Sequence, residues 1–196
     1  MDMKKSIFFV AVALLCLGGT AGAQRHVEFR WHGMYLLADC SYGFNVNKKT
    51  DTVAGYLLSV AGGFQFRKEA SIGVGFSYLS DPGGAFSQLP LYVEFRSHFL
   101  RSRFTPYTVL QLGYSVPVGG ESEPPVTKVE KGGLYWGFDF GGRFAVSRSF
   151  AMGAHVGYRL FHSNEVTRSK PDNSPMLSDA VALHMVTAGV SFYISN

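Results

Sequence analysis

His162, Ser163 and Asn164 set an imidazole base beside a hydroxyl nucleophile, the pairing on which hydrolytic chemistry is built. The requirement is geometric first, because the imidazole must reach the hydroxyl. Consecutive residues of an extended chain point to opposite sides, so His162 and Ser163 stand as candidates only and no catalytic residue is assigned. A turn that opens a loop explains the same Ser and Asn. The six histidines, His26, His32, His98, His155, His162 and His184, show no metal-ligand spacing. No Gly-rich phosphate loop follows a strand and precedes a helix, so neither metal nor cofactor is expected. A larger set is placed more coherently: Asp39, Gln65, Arg67, Glu94, Arg96, His98, Gln111, Asp139, Arg143, His155 and Arg159 interrupt segments that are otherwise apolar or small. Acids and bases are mixed, which suits a packed network of buried ion pairs, since an unpaired charge there is costly. A narrow, gated polar path is the alternative.

The elements that carry these residues are strands. In Ser71 to Tyr78, Ile72, Val74, Phe76 and Tyr78 alternate with Ser71, Gly73, Gly75 and Ser77, and period two is the strand signature. Leu91 to Phe99, Leu134 to Arg143 and Phe150 to Leu160 repeat it. Eight segments are predicted: Gly33 to Val46, Val53 to Arg67, Ala70 to Leu79, Leu89 to Leu100, Phe104 to Val116, Leu134 to Val146, Phe150 to Phe161 and Val181 to Ile194. Most reach the nine to eleven residues or so that a tilted strand needs to cross a bilayer. Connectors alternate too. They are tight after the second, fourth and sixth segments and long after the others, the longest being 117–133 and 162–180. Short periplasmic turns, long external loops and an even strand number belong together in outer-membrane barrels.

The N-terminal segment agrees. Lys4 and Lys5 precede an apolar run from Ile7 to Leu17, then Ala21, Gly22 and Ala23. This is the three-part pattern of a signal peptide over residues 1–23, with cleavage before Gln24 and one barrel domain over residues 24–196. The apolar run is too short for a membrane-spanning helix. Acylation at Cys16 would need a small residue where Leu15 stands. Cleavage leaves 16 basic and 13 acidic residues. No basic run exceeds Lys48-Lys49, so a nucleic-acid partner is not expected. Only Cys40 remains, as a small apolar filler without a disulfide partner. A soluble barrel or sandwich would also alternate, but every remaining lysine (Lys48, Lys49, Lys68, Lys128, Lys131, Lys170) is predicted in a turn or loop. A water-washed strand face normally carries some. The outward faces suit lipid, with Tyr42, Tyr56, Tyr78, Trp136 and Tyr158 available for aromatic girdles. The chain therefore reads as all-β: an eight-stranded, antiparallel, up-and-down transmembrane barrel, monomeric and located in the outer membrane.

The run Leu89-Pro90-Leu91-Tyr92-Val93-Glu94-Phe95-Arg96, followed by Phe104-Thr105-Pro106-Tyr107 and Leu112-Gly113-Tyr114, resembles the outer-membrane β-barrel domain family of diderm bacteria, with its small eight-stranded members in the porin-like superfamily. The resemblance is specific over Leu89 to Tyr114 and architectural elsewhere. Many relatives end on an aromatic residue, whereas this chain runs Phe192-Tyr193-Ile194-Ser195-Asn196. Eight strands enclose an interior that side chains can fill, so the reading is a structural or surface-interaction barrel in contact with outer-membrane lipid and lipopolysaccharide. The loops 117–133 and 162–180 are available to an external partner. A narrow channel or transporter for small or apolar molecules is the alternative. A lipid A-modifying enzyme comes third, because His162 and Ser163 resemble the His/Ser motif of barrel lipid A deacylases, though one residue separates the pair in that family.

Overall fold

A computed structural model describes residues 32–46, 54–67, 69–80, 87–100, 102–118, 126–169 and 175–196, with the backbone alone at 126–131, 163–169 and 175–181. The predicted signal peptide and the cleavage before Gln24 lie outside the described residues. The strands are β1 (Gly33–Asn45), β2 (Ala54–Arg67), β3 (Ala70–Ser80), β4 (Ser87–His98), β5 (Phe104–Pro117), β6 (Val126–Lys131), β7 (Gly133–Ala145), β8 (Phe150–Ser169) and β9 (Pro175–Ser195).

Eight of these close a ring. Each pairs antiparallel with its neighbours along the chain, and β9 returns to β1, with Tyr35 opposite Ser195 and Asn45 opposite Met185. Closure removes the open edges that a flat sheet would expose. At the seam Gly33 has φ of 128°, and a Cβ there would overlap the Asn196 carbonyl oxygen, so glycine is required. The β2–β3, β4–β5 and β7–β8 connections are tight, and they lie at the same end as the start of β1 and the finish of β9.

Alternation has sorted the side chains as expected. The outward wall carries Leu36, Leu58, Val74, Val93, Leu112, Phe138, Val156 and Val190, all exposed, a surface that water would not leave bare in so large an expanse. The outward tyrosines and tryptophan, Tyr42, Tyr56, Tyr78, Tyr114, Trp136 and Tyr158, all lie in the half away from the tight turns, whereas outward phenylalanines occur in both halves, Phe44 near the mouth and Phe64, Phe66, Phe95, Phe99, Phe104, Phe144 and Phe192 beside the tight turns.

Three expectations change. The segments 117–133 and 162–180 are not simply loops: β8 and β9 continue pairing beyond the ring, from His162 opposite Ala182 to Arg168 opposite Pro175, and β6 pairs with the β8 extension. A three-stranded ledge thus rises on one side of the mouth. Lys128 and Lys131 consequently lie on a strand, β6, although the eight wall strands hold no lysine. Arg67, expected inside, is exposed, because the β2–β3 register shifts between Gln65 and Arg67 and the bulge turns the last residue out.

One lapse interrupts the wall. Pairing between β3 and β4 passes from Phe76 opposite Leu91 to Leu79 opposite Gln88, omitting Ser77, Tyr78, Leu89 and Pro90. Pro90 has no N–H to donate, which accounts for the missing rung.

Candidate functional site: the filled lumen

The inward positions of the wall converge on one polar layer between two apolar ones. Towards the tight turns lie Tyr35, Leu37, Ala61, Tyr107, Val109, Ala145, Ala151 and Tyr193. Towards the mouth lie Leu57, Leu79, Tyr92, Tyr135, Phe161, Leu183 and Met185. Of the predicted lumen residues, Gln65, Glu94, Arg96, His98, Gln111, Asp139, Arg143, His155 and Arg159 are buried. Asp39 joins them through His155, whose Nδ1 is 3.5 Å from Asp39 Oδ2.

The charges are paired by geometry. Arg159 donates from both Nη atoms to the two oxygens of Asp139, at 2.6 and 2.8 Å, the fork arrangement that makes a guanidinium–carboxylate pair strong and directional. Glu94, two residues before Arg96 on the same face of β4, accepts from Arg96 Nη2 at 3.2 Å and from the Tyr35 hydroxyl at 2.8 Å. Arg96 also donates to the Tyr193 hydroxyl at 2.5 Å and lies over the Tyr107 and Tyr193 rings at 5.2 and 5.1 Å. Arg143 lies 5.5 Å from the Tyr193 ring centre, a favourable placement for a desolvated cation. Asp39, Glu94 and Asp139 against Arg96, Arg143 and Arg159 leave the layer formally neutral.

Little room remains. A cavity bounded by Asp39, Tyr92, Arg96, Gln111, Asp139, His155 and Arg159 offers about 10 Å³ to the centre of a water-sized sphere, space for about one molecule. The Tyr92 hydroxyl and the Nε atoms of Arg96 and Arg159 have no hydrogen-bonding partner among the described residues. A single water in that cavity would have donors to meet.

A Ser, His and Asp do come together here, and they are not the pair singled out by sequence. Ser41 Oγ is 3.2 Å from His155 Nε2, and His155 faces Asp39. Yet Ser41 donates to Asp39 at 2.6 Å, so its proton is directed to the carboxylate and not to the imidazole. Ser41 is also buried beneath the mouth-side apolar layer. His162 and Ser163 occupy successive β8 positions opposite Ala182 and Val181, which places them on opposite faces. Among the described residues no group of His, Cys, Asp and Glu is arranged to hold a metal ion.

Sequence reasoning missed Ser41 and the tyrosines that bind the charges, Tyr35, Tyr107 and Tyr193. Their signal was parity: Tyr35 and Ser41 share the odd positions of β1 with Asp39. Tyr135 donates to Gln111 at 2.8 Å, one more tyrosine serving a buried polar group.

No protein-family model matches the sequence, and no curated protein is significantly similar to it. Solved structures do share its fold. Neisserial surface protein A matches at 14% identity with a TM-score of 0.59, covering 84% of this chain and 97% of that one. Outer membrane protein OprG from Pseudomonas aeruginosa matches at 9% identity with a TM-score of 0.59, covering 87% and 100%. Outer membrane protein AlkL, in lipid bilayers, matches at 11% identity with a TM-score of 0.56, covering 90% and 96%. The chain has the closed, all-antiparallel, eight-stranded fold of small outer-membrane barrels.

Proposed function

We propose that this protein is a monomeric outer-membrane barrel whose lumen is a structural plug and whose working surface is its external end. The tight turns and both ends of the ring face the periplasm, and the ledge of β6, β8 and β9 stands outside, where it offers lipopolysaccharide or an external partner a raised surface. The observation that carries the reading is the neutral, mutually paired interior around a cavity of about 10 Å³. Opening a path through it means separating paired charges without water to receive them. The test is conductance of the purified protein in planar bilayers. A silent membrane is the expected result, and stable current steps whose ion selectivity changes in Glu94→Gln would overturn it.

A second reading, passage of a small apolar molecule, draws on the lapse at Pro90. There the wall lacks rungs beside Leu79 and Tyr92 of the mouth-side apolar layer, so an apolar solute would meet an apolar interior through the weakest part of the wall. Crosslinking Tyr78→Cys to Leu89→Cys should then abolish accumulation of an apolar dye in vesicles. Lipid A hydrolysis is disfavoured by the opposite facing of His162 and Ser163. An assay for released acyl chains checks that reading.

A further inference from the structure

We infer that the rim of the barrel at the tight-turn end binds anionic phospholipid, with Arg67, Arg103 and Arg148 each taking the phosphodiester of one headgroup in the leaflet on that side. The inference rests on the outer-membrane reading above and adds a ligand and a place.

The stagger of the ring fixes the height of each residue. Following opposed residues from Tyr35 through Gly63, Gly73, Glu94, Gln111, Gly137, Arg159 and Met185 returns to β1 at Asn45, ten residues further along. That stagger over eight strands corresponds to a tilt of about 43°. Each residue therefore moves about 2.4 Å in height along its strand. On this scale Arg67, Arg103 and Arg148 stand within about 3 Å of one level, although they belong to three different tight turns. The outward Tyr and Trp residues lie roughly 25 Å above them, the height of the apolar band of an outer-membrane barrel. Those aromatic residues mark one headgroup level, and the arginines lie at the other.

Among the residues whose side chains are described, these three are the exposed arginines, since Arg96, Arg143 and Arg159 are buried in the lumen. Glu69 is the one acidic side chain described at the same end. The bulge that ends β2 turns Arg67 out of the lumen and into this ring. Just above the arginines the outward phenylalanines Phe66, Phe99, Phe104 and Phe144 are exposed, so the arginine stems have apolar surface to lie on while their heads reach the headgroups.

Arg103 is the best built of the three. Its carbonyl accepts from the Ala145 N–H at 2.8 Å, its Nε donates to the Ala145 carbonyl at 3.2 Å, and its guanidinium lies over the Phe144 ring at 4.6 Å. These contacts use Nε and one face of the group. The edge formed by the two Nη atoms keeps no partner among the described residues, and that edge is the fork that meets two phosphate oxygens at once. Because Phe144 faces outward, the fork is held at the lipid boundary. Three cations fixed at one depth, beneath an apolar belt and with a single acid among them, are complementary to a plane of anionic headgroups.

The experiment uses the full chain purified in detergent, with bound lipids followed by native mass spectrometry. Titrants are phosphatidylglycerol and phosphatidylcholine with the same acyl chains. Phosphatidylglycerol is expected to bind at the lower concentration. Arg103→Gln should weaken it about fivefold, and Arg103→Lys less, because the ammonium keeps the charge and loses the fork. With all three arginines replaced by Gln, the two lipids should bind alike. Equal binding of the two lipids by the unaltered protein would overturn the site, as would an undiminished preference in the triple variant. A loss in Lys131→Gln, on β6 at the opposite end, as large as that in Arg103→Gln would overturn it too. Insertion into vesicles, read by the gel-mobility shift of a folded barrel on heating, separates the two failures. Protein that does not insert refutes the membrane reading and the site with it. Protein that inserts without the lipid preference refutes the site alone.

Discussion

Replacing Asp139 by Asn should cost the barrel about 3 to 5 kcal/mol. Both Nη atoms of Arg159 are committed to the Asp139 oxygens, at 2.6 and 2.8 Å, and Arg159 is only 2% exposed. Asn keeps the shape and one acceptor but presents N–H donors to a guanidinium that is itself all donors. The layer then holds two carboxylates against three guanidinium groups, and the surplus charge lies where about one water fits. With a urea slope of about 2 kcal/mol per molar, the unfolding midpoint in lipid vesicles should fall by about 2 M. Asp139→Leu combined with Arg159→Met, which removes both charges, should recover most of the loss. An unchanged midpoint in Asp139→Asn, accompanied by new conductance, would refute the plugged interior, because only an open path lets water solvate the orphaned Arg159.

Phe138→Arg and Val156→Arg, both on the outward wall, should each destabilise the vesicle-inserted barrel by about 2 to 4 kcal/mol if they meet the bilayer midplane; reversible unfolding gives the value, and no cost at either would mean the wall does not face lipid. Gly157→Ala should destabilise by about 1 to 3 kcal/mol, since its Cβ would overlap the Asp139 carboxylate, whereas Gly62→Ala, whose nearest contact would be 3.7 Å away, should be nearly neutral in the same assay. Cys40 is exposed at an outward position between Leu58 and Val190. It should resist a charged maleimide in vesicles yet react with a lipid-soluble one, as mass spectrometry would show.

Sequence legibility followed the physics of each signal. Where one face meets apolar surroundings and the other a crowded interior, period two is enforced at every residue, and the wall strands lie within two residues of their predicted limits until β8 and β9 leave the ring. Beyond the ring neither face must be apolar. The β8 extension reads His162, Ser163, Asn164, Glu165, Val166, Thr167, Arg168 and Ser169, polar on both sides, so pairing continues after the hydrophobic signal has ended. The β6–β8 contact is a pairing between distant segments that no local pattern encodes. Arg67 was misplaced because a bulge changes parity, and a bulge of one residue leaves alternation upstream untouched. The charged members of the lumen were legible because a charge within an apolar segment is conspicuous. The tyrosines that hold them were not, because tyrosine is equally at home on either face.

The closing of the ring has a kinetic meaning. Every other contact around the wall joins strands that follow one another in the chain, so those hairpins form locally and quickly. The β1–β9 seam alone must bring the two ends of the ring together. The entropy of closing that large loop is spent before its hydrogen bonds form, which makes seam formation the slow step. Until then β1 and β9 each present a bare edge and an apolar face, the combination that templates pairing with another chain. Pairing of β9 with β1 is therefore what separates a chain open to pairing with its own copies from a ring that has no edge to offer.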